Sequence, residues 1–286
     1  MAAPELIRDP GVWQARCLEA RAGGARLALV PTMGYLHEGH LSLMRQARLR
    51  AGERGLSLVT IFVNPTQFGP GEDLGRYPRD LSGDLARCAS AGVDWVLAPE
   101  SPARIYPPGF ETWVEVEKVS RGLCGGRRPG HFRGVATVVA KLFNLTRPHV
   151  AVFGEKDYQQ LQVIRAMVRD LDFAIEIVGA PIVRDPDGLA LSSRNAYLSP
   201  EERGRALSLS RALLEARERA GRGERDAAQL AAGARRRLEE GGARVDYVEV
   251  VHPETLTPVM RAEPGSRMLL AAWVGTTRLI DNLELP

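Results

Sequence analysis

An α/β fold, with a doubly wound parallel sheet and a smaller C-terminal α+β domain, is the class this sequence predicts, and three observations carry it. Short, near-continuous apolar runs alternate with longer stretches at helical spacing through most of the chain, as strands buried on both faces of a parallel sheet do. Turn-forming residues such as Pro31-Thr32-Met33-Gly34 and Asn64-Pro65 close those runs. After about residue 191 the pattern changes to two charged amphipathic stretches followed by strand-like ones, which reads as a separate α+β part.

In order, residues 26–31 (RLALVP) read as a buried strand, and 40–54 as a helix with Leu41, Met44, Ala47 and Ala51 on one face. Residues 56–63 (LSLVTIFV) form the next strand, 80–91 a helix, and 93–98 (VDWVLA) a third strand. The alternation over 112–119 predicts an edge strand. Beyond a glycine-rich break come a helix at 135–145, a strand at 149–153, a helix at 158–170 and a strand region at 174–183. Residues 200–220 and 225–240 then predict two helices, and 245–251, 267–274 and 277–283 three strands. The boundary falls near 189–195, giving expected domains at 1–190 and 191–286.

Composition bounds the function. The chain has 286 residues, 44% hydrophobic and 26% charged, which suits a soluble protein with a self-sufficient core. No run of 18 apolar residues occurs, and the first 24 residues lack a basic start leading into an apolar stretch. A membrane span and a secretory leader are therefore not expected, and the cytoplasm is the expected location. The net charge is only +3, and the densest basic run, Arg235-Arg236-Arg237, is followed by Glu239 and Glu240. That pattern reads as a solvated helix face, so nucleic acid is not an expected partner. Cys17, Cys88 and Cys124 are far apart and form no CxxC, which supports neither a disulfide framework nor a metal site.

In doubly wound sheets ligands bind at the carboxyl ends of strands. The first predicted strand ends in PTMGYLHEGH, where His37 and His40 share one face of an opening helical turn. A helix start offers N–H groups and positive potential to a phosphate, and imidazoles there can donate to its oxygens. The alternatives are a pair of capping histidines or a metal pair, although the HExxH frame is absent. Neither GxxxxGK[ST] nor GxGxxG occurs, so a nucleotide would have to use the histidine-bearing turn instead.

The second strand ends in FVNPTQF, where Asn64 and Gln67 offer neutral donors and acceptors to a small polar substrate, or simply form a turn. GGRRPGHFRG at 125–134 reads as a mobile anion-binding loop or a solvent-exposed basic one. In GEKDYQQ, Lys156 stands at a strand-to-helix junction, able to hold phosphate oxygens, with Asp157 to orient it, reach a ribose or help hold hydrated magnesium. Ser192, Ser193 and Arg194 add two hydroxyls and a fork-shaped cation, or cap a helix.

Taken in order, PTMGYLHEGH, FVNPTQF, RPGHFRGVATVV, FGEKDYQQL and DGLALSSRN resemble the motifs of the pantothenate synthetase (pantoate–β-alanine ligase) family. The matches run over about residues 30–198, and LIDN at 279–282 is similar to the family's C-terminal pattern. The resemblance implies membership of the nucleotidyltransferase group that includes class I aminoacyl-tRNA synthetases. His37-Glu38-Gly39-His40 resembles its HIGH signature, and Leu191-Ser192-Ser193-Arg194 stands at its KMSKS-like loop. A Rossmann-like domain with a C-terminal lid is implied, as is a homodimer. So is a two-step reaction in which ATP activates pantoate as an adenylate and β-alanine then displaces AMP.

By the same resemblance Met33, Gly34, Tyr35, Leu36, His37, Glu38, Gly39 and His40 form the ATP loop, with His40, His37 and Lys156 catalytic. Gly154, Glu155, Lys156, Asp157, Val183, Leu191, Ser192, Ser193 and Arg194 complete the ATP contacts. Gln67 and Gln160 are the implied pantoate ligands, with Gln67 also near β-alanine and Asn64 beside it; Mg2+ is expected on the ATP phosphates, with no protein cage for it. Tyr35 departs from the family, which more often has a small residue there. Two other readings remain: a nucleotidyltransferase that stops after one step, and an RNA-binding relative of the synthetases. The first would not need both glutamines, and the near-neutral charge opposes the second.

Overall fold

The structure, a computed structural model, describes residues 3–286. Its first elements are β1 (Glu5–Ile7), α1 (Pro10–Ala22), β2 (Leu27–Thr32), α2 (Glu38–Ala51), β3 (Leu56–Ile61), α3 (Leu81–Ser90) and β4 (Trp95–Leu97). They are followed by α4 (Leu123–Arg127), α5 (His131–Thr146), β5 (Val150–Gly154), α6 (Tyr158–Asp170) and β6 (Glu176–Ala180). The chain ends in α7 (Pro200–Gly221), α8 (Ala227–Glu240), β7 (Arg244–Val251), β8 (Arg267–Val274) and β9 (Thr277–Glu284).

Two compact units interleave along the sequence. The first comprises the chain up to Glu117 with Arg128–Glu155 and Val163–Pro181; the second gathers Lys118–Arg127, Lys156–Gln162 and Ile182–Pro286.

The first unit is the expected parallel sheet, in the order β1-β4-β3-β2-β5-β6. Successive side chains of a strand alternate between faces. Ala28 and Val30 of β2 therefore share a core with Met44 and Ala47 of α2 and Cys88 of α3. On the other side α1 and α5 pair, where the buried Trp13 indole donates to Thr146 Oγ1 at 2.9 Å. The strand order reverses between β2 and β5, and in such sheets a crevice opens outside the carboxyl ends of those two strands. Their ends carry the two expected ATP segments, 33–40 and 154–157.

The second unit contains the antiparallel sheet β7-β8-β9, covered by α7 and α8. Leu209, Leu213, Leu230 and Leu238 of the helices meet Met268 and Leu270 of β8 in its core. A Ser199–Glu202 capping box fixes the start of α7: Glu202 N–H donates to Ser199 Oγ at 3.2 Å and Ser199 N–H to Glu202 Oε2 at 2.9 Å.

One expected element is absent. Residues 112–119 form no strand. Instead Val114 N–H donates to the Thr137 hydroxyl of α5 at 3.0 Å, so a helix side chain stands in for the neighbouring strand that the alternation implies. The two edges of the sheet belong to β1, against β4, and to β6, against β5. The expected mobile loop at 125–134 is also mostly helical, since α4 and α5 leave only residues 128–130 between them.

Candidate active site

The turn after β2 is built by backbone geometry. Gly34 and Tyr35 both take positive φ, +82° and +52°, and swing the chain from the strand into α2. Left-handed backbone is open to glycine but strained for tyrosine. The turn is held from outside, because Asp84 of α3 accepts the N–H of Tyr35 at 2.9 Å and of Leu36 at 2.7 Å.

His37 caps α2 and His40 reciprocates. Gly39 N–H donates to His37 Nδ1 at 3.2 Å, and His37 N–H donates to His40 Nδ1 at 3.3 Å. The rings lie 4.1 Å apart between centroids. An Nδ1 that accepts leaves the proton of a neutral ring on Nε2. The capping role and the phosphate-binding role weighed for this pair are therefore compatible, since capping uses one nitrogen of each ring and sets the other as a donor. Met33 is half-buried on the approach to the turn, and Glu38, exposed on its far side, pairs with Arg45.

After β3, Asn64 is 1% exposed and all of its polar atoms are engaged. Its Nδ2 donates to Gln67 Oε1 at 3.1 Å and to Gly134 O at 3.2 Å, while its Oδ1 accepts from Tyr106 OH at 2.9 Å and Thr66 Oγ1 at 2.9 Å. Asn64 thus orients the Gln67 side chain. Gln67 is gripped by its main chain as well, because its carbonyl accepts from His131 Nδ1 at 2.8 Å. His131 Nε2 lies 3.0 Å from Arg128 Nη1, and Arg128 also binds both oxygens of Glu72, at 2.8 and 2.6 Å. Burial pushes the Glu72 carboxyl up, but the hydrogen bond and charge of Arg128 outweigh it and hold the group below its ordinary range. Gly134 completes the clamp: a Cβ there would strike the Thr66 carbonyl.

The arginines of the 125–134 segment are engaged by protein groups. Arg128 holds Glu72, Arg127 pairs with Asp246 at 3.3 Å, and Arg133 stacks on Trp113 with 4.8 Å to the ring centre.

In the second unit, Lys156 is largely buried, with Nζ 3.9 Å from Asp157 Oδ2. Its carbonyl accepts from Asn282 Nδ2 at 3.0 Å, and Arg267 Nε donates to Asn282 Oδ1 at 2.8 Å. The next residue of the LIDN motif back, Asp281, is 3% exposed and takes a two-pronged bond from Arg184, at 2.7 and 2.9 Å. Arg184 belongs to a hairpin-like loop in which Leu191 N–H donates to Val183 O at 3.0 Å, so the structure brings those two expected ATP contacts together. Ser192 then caps a short 3-10 turn, Ser193–Tyr197, that carries Arg194. Gln160 is half-buried in the first turn of α6 beside the buried Gln159, whose Oε1 accepts Cys124 N–H at 3.0 Å. Gly154 ends β5 and Glu155 opens the short 3-10 turn after it, both in the first unit and both half-buried.

Sequence reasoning passed over Asp84, Glu72 and the roles of His131 and Asn282. The last two stand inside motifs already singled out, GHF and LIDN, whereas Asp84 has no local pattern to announce it. Among the described residues no helix is long and apolar enough to cross a membrane.

The family model described as Pantoate-beta-alanine ligase matches residues 5–284. A pantothenate synthetase of Anaeromyxobacter dehalogenans is 75% identical, over all of this chain and all of its own. A rice pantoate–β-alanine ligase is 49% identical, over 99% of this chain and 97% of its own. The crystal structure of the Thermus thermophilus pantothenate synthetase superposes with a TM-score of 0.90 at 49% identity, covering 99% of this chain and all of that one. A Francisella tularensis pantoate–β-alanine ligase, solved in complex with beta-gamma ATP and beta-alanine, gives a TM-score of 0.81 at 32% identity over 99% and 98% of the two chains.

Proposed function

The chain belongs to the pantoate–β-alanine ligase family, and from that premise we propose that it joins (R)-pantoate to β-alanine at the expense of ATP, through pantoyl adenylate. In the first step a pantoate carboxylate oxygen attacks the α-phosphorus of ATP, the bond to the β-phosphate oxygen breaks, and pyrophosphate leaves. In the second the β-alanine amine attacks the activated acyl carbon, sheds a proton, and AMP departs with the electron pair of the acyl–oxygen bond. Adenylation replaces an oxide leaving group by a phosphate one, so the protein's work is placement, charge stabilisation and exclusion of water.

The observation that carries this reading is the mutual capping of His37 and His40, with Nδ1 of each accepting a backbone N–H. It fixes both rings at a helix start beyond the carboxyl end of β2, where positive potential favours phosphate. In this reading His37 and His40 donate to phosphate oxygens as charge moves onto the leaving group, and Lys156 adds a cation. Residues 33–40 and 154–157, with Val183, Leu191, Ser192, Ser193 and Arg194, bind the nucleotide. Gln67 and Gln160 hold pantoate, with Asn64 orienting Gln67.

Magnesium belongs to this reading as the partner of ATP's phosphates. No cluster of three or more His, Cys, Asp or Glu side chains suited to an ion occurs among the described residues, and no step is assigned to magnesium. The homodimer and the cytoplasmic setting implied by the resemblance belong to the same proposal.

The test mixes protein, ATP, Mg2+ and pantoate with and without β-alanine, following pyrophosphate and AMP. Pantoate-dependent pyrophosphate and β-alanine-dependent AMP are expected. Pyrophosphate release indifferent to pantoate, or no AMP on adding β-alanine, would refute the ligation.

A further inference from the structure

Asp84 lies on α3 and is 1% exposed, yet its carboxylate is spent on two consecutive main-chain N–H groups of a distant turn. Oδ2 takes the N–H of Tyr35 and Oδ1 that of Leu36. Burying a carboxylate is costly, and here its hydrogen-bond partners are neutral amides. Burial does push the Asp84 carboxyl above its ordinary value, against the pull of those two donors. Joining α3 to a loop by packing alone would not need a charge.

What the charge supplies is backbone direction. Tyr35 stands at φ +52°, a left-handed conformation that strains a residue with a side chain. Two charge-assisted bonds at 2.9 and 2.7 Å are the kind of fixed support that outweighs such strain. Gly34 is shaped around the same group, since a Cβ there would lie 2.9 Å from Asp84 Oδ2. Directly after Leu36 comes His37, whose own N–H binds the His40 ring. The orientation of the two imidazoles therefore starts from the two peptide planes that Asp84 holds.

We propose that Asp84 is a positioning residue for nucleotide binding: its carboxylate pins the left-handed Tyr35 turn so that His37 and His40 face the ATP phosphates. The inference rests on the assignment of residues 33–40 to ATP.

The experiment compares the wild-type chain, Asp84→Asn, and Asp84→Asn combined with Tyr35→Gly. Each is measured for ATP and pantoate KM in pyrophosphate release, and for hydrogen exchange at the amides of residues 35 and 36. The side-chain amide of Asn can accept at one atom only. Asp84→Asn is expected to raise the ATP KM about tenfold or more and to speed exchange at both amides by about tenfold, with the pantoate KM within about twofold. Glycine holds the same backbone without strain, so Tyr35→Gly in the Asp84→Asn chain is expected to recover part of the ATP KM. An ATP KM within about twofold of wild type in Asp84→Asn overturns the proposal. A raised ATP KM that the glycine does not relieve assigns the loss to packing of α3, and overturns it too. If Asp84→Asn lacks a cooperative melting transition, the wild type decides: amides 35 and 36 exchanging as fast as an exposed loop refute the latch. A wild type that releases no pyrophosphate from ATP and pantoate removes the nucleotide from the proposal, while its amide exchange still reports on the latch.

Discussion

His131 and Gln67 are joined by a single hydrogen bond that fixes the tautomer of the histidine. The Gln67 carbonyl can only accept, so His131 Nδ1, 2.8 Å away, carries the proton. Arg128 can only donate, so His131 Nε2, 3.0 Å from its Nη1, supplies the lone pair. The ring bridges Arg128 to the main chain of the proposed pantoate ligand.

Breaking that bridge should cost pantoate affinity before anything else. His131→Ala leaves the Gln67 carbonyl without its imidazole donor and lets the turn drift, which is worth about 1–3 kcal/mol. Steady-state kinetics are expected to show the pantoate KM raised about tenfold with the ATP KM nearly unchanged. Equal changes in both constants would refute a role specific to Gln67.

Gln67→Ala is expected to give the same signature with a larger effect, since it removes the proposed pantoate contact itself. Pantoate saturation like that of the wild type would take Gln67 out of the site.

His40→Ala removes a proposed transition-state donor, and also the ring that accepts His37 N–H. Losing one such donor typically slows the chemical step about 10²-fold or more. Single-turnover pyrophosphate release should fall by at least that factor, with a smaller change in ATP binding. A rate within about threefold of wild type would deny His40 its role.

Gly134→Ala should be poorly tolerated, because the added methyl meets the Thr66 carbonyl rather than a flexible side chain. A cost of about 1–3 kcal/mol follows from such overpacking, together with displacement of the Asn64–Gln67 turn. Thermal melting and pantoate KM are both expected to worsen; an unchanged pantoate KM would show that the turn relaxes without moving Gln67.

The Glu72–Arg128 pair should make stability sensitive to acid. The folded-state pKa of Glu72 lies below its usual 4.5, because the bonds and charge of Arg128 exceed the cost of burial. A carboxyl depressed in this way stabilises the fold above its unfolded pKa and loses that contribution as pH falls through the folded value. Denaturant titrations should therefore show Glu72→Gln less stable than wild type at neutral pH, with the gap closing as the pH drops below about 4.5. A gap independent of pH would mean that the pair contributes packing rather than charge.

Much of the sheet was legible because its central strands are largely apolar. Residues 27–32, 56–61 and 150–154 carry hydrophobic runs that only a doubly covered strand explains. β1 escaped notice, since three residues, Glu5-Leu6-Ile7, are too few to show a period. The stretch at 112–119 misled for the opposite reason: its alternation is real, but its partner is a hydroxyl on α5. In the candidate site the HxxH turn, Lys156 and the Ser-Ser-Arg loop announce themselves by residue type and by place after an apolar run. Asp84 does not, because what distinguishes it is the backbone of residues 35 and 36, some fifty positions earlier.

The interleaving of the two units has a consequence for how the polypeptide is made. Tyr158, beneath the Arg267 guanidinium at 4.0 Å, and Lys156, whose carbonyl Asn282 holds, leave the ribosome long before either partner exists. Cys124 likewise precedes Tyr247, whose hydroxyl ends 3.3 Å from its sulfur. Translation thus issues fragments of the later unit early, and these contacts form only as β7, β8 and β9 emerge. A gene cut at residue 181 would therefore split the second unit, leaving Lys118–Arg127 and Lys156–Gln162 on the other piece, rather than release a finished module.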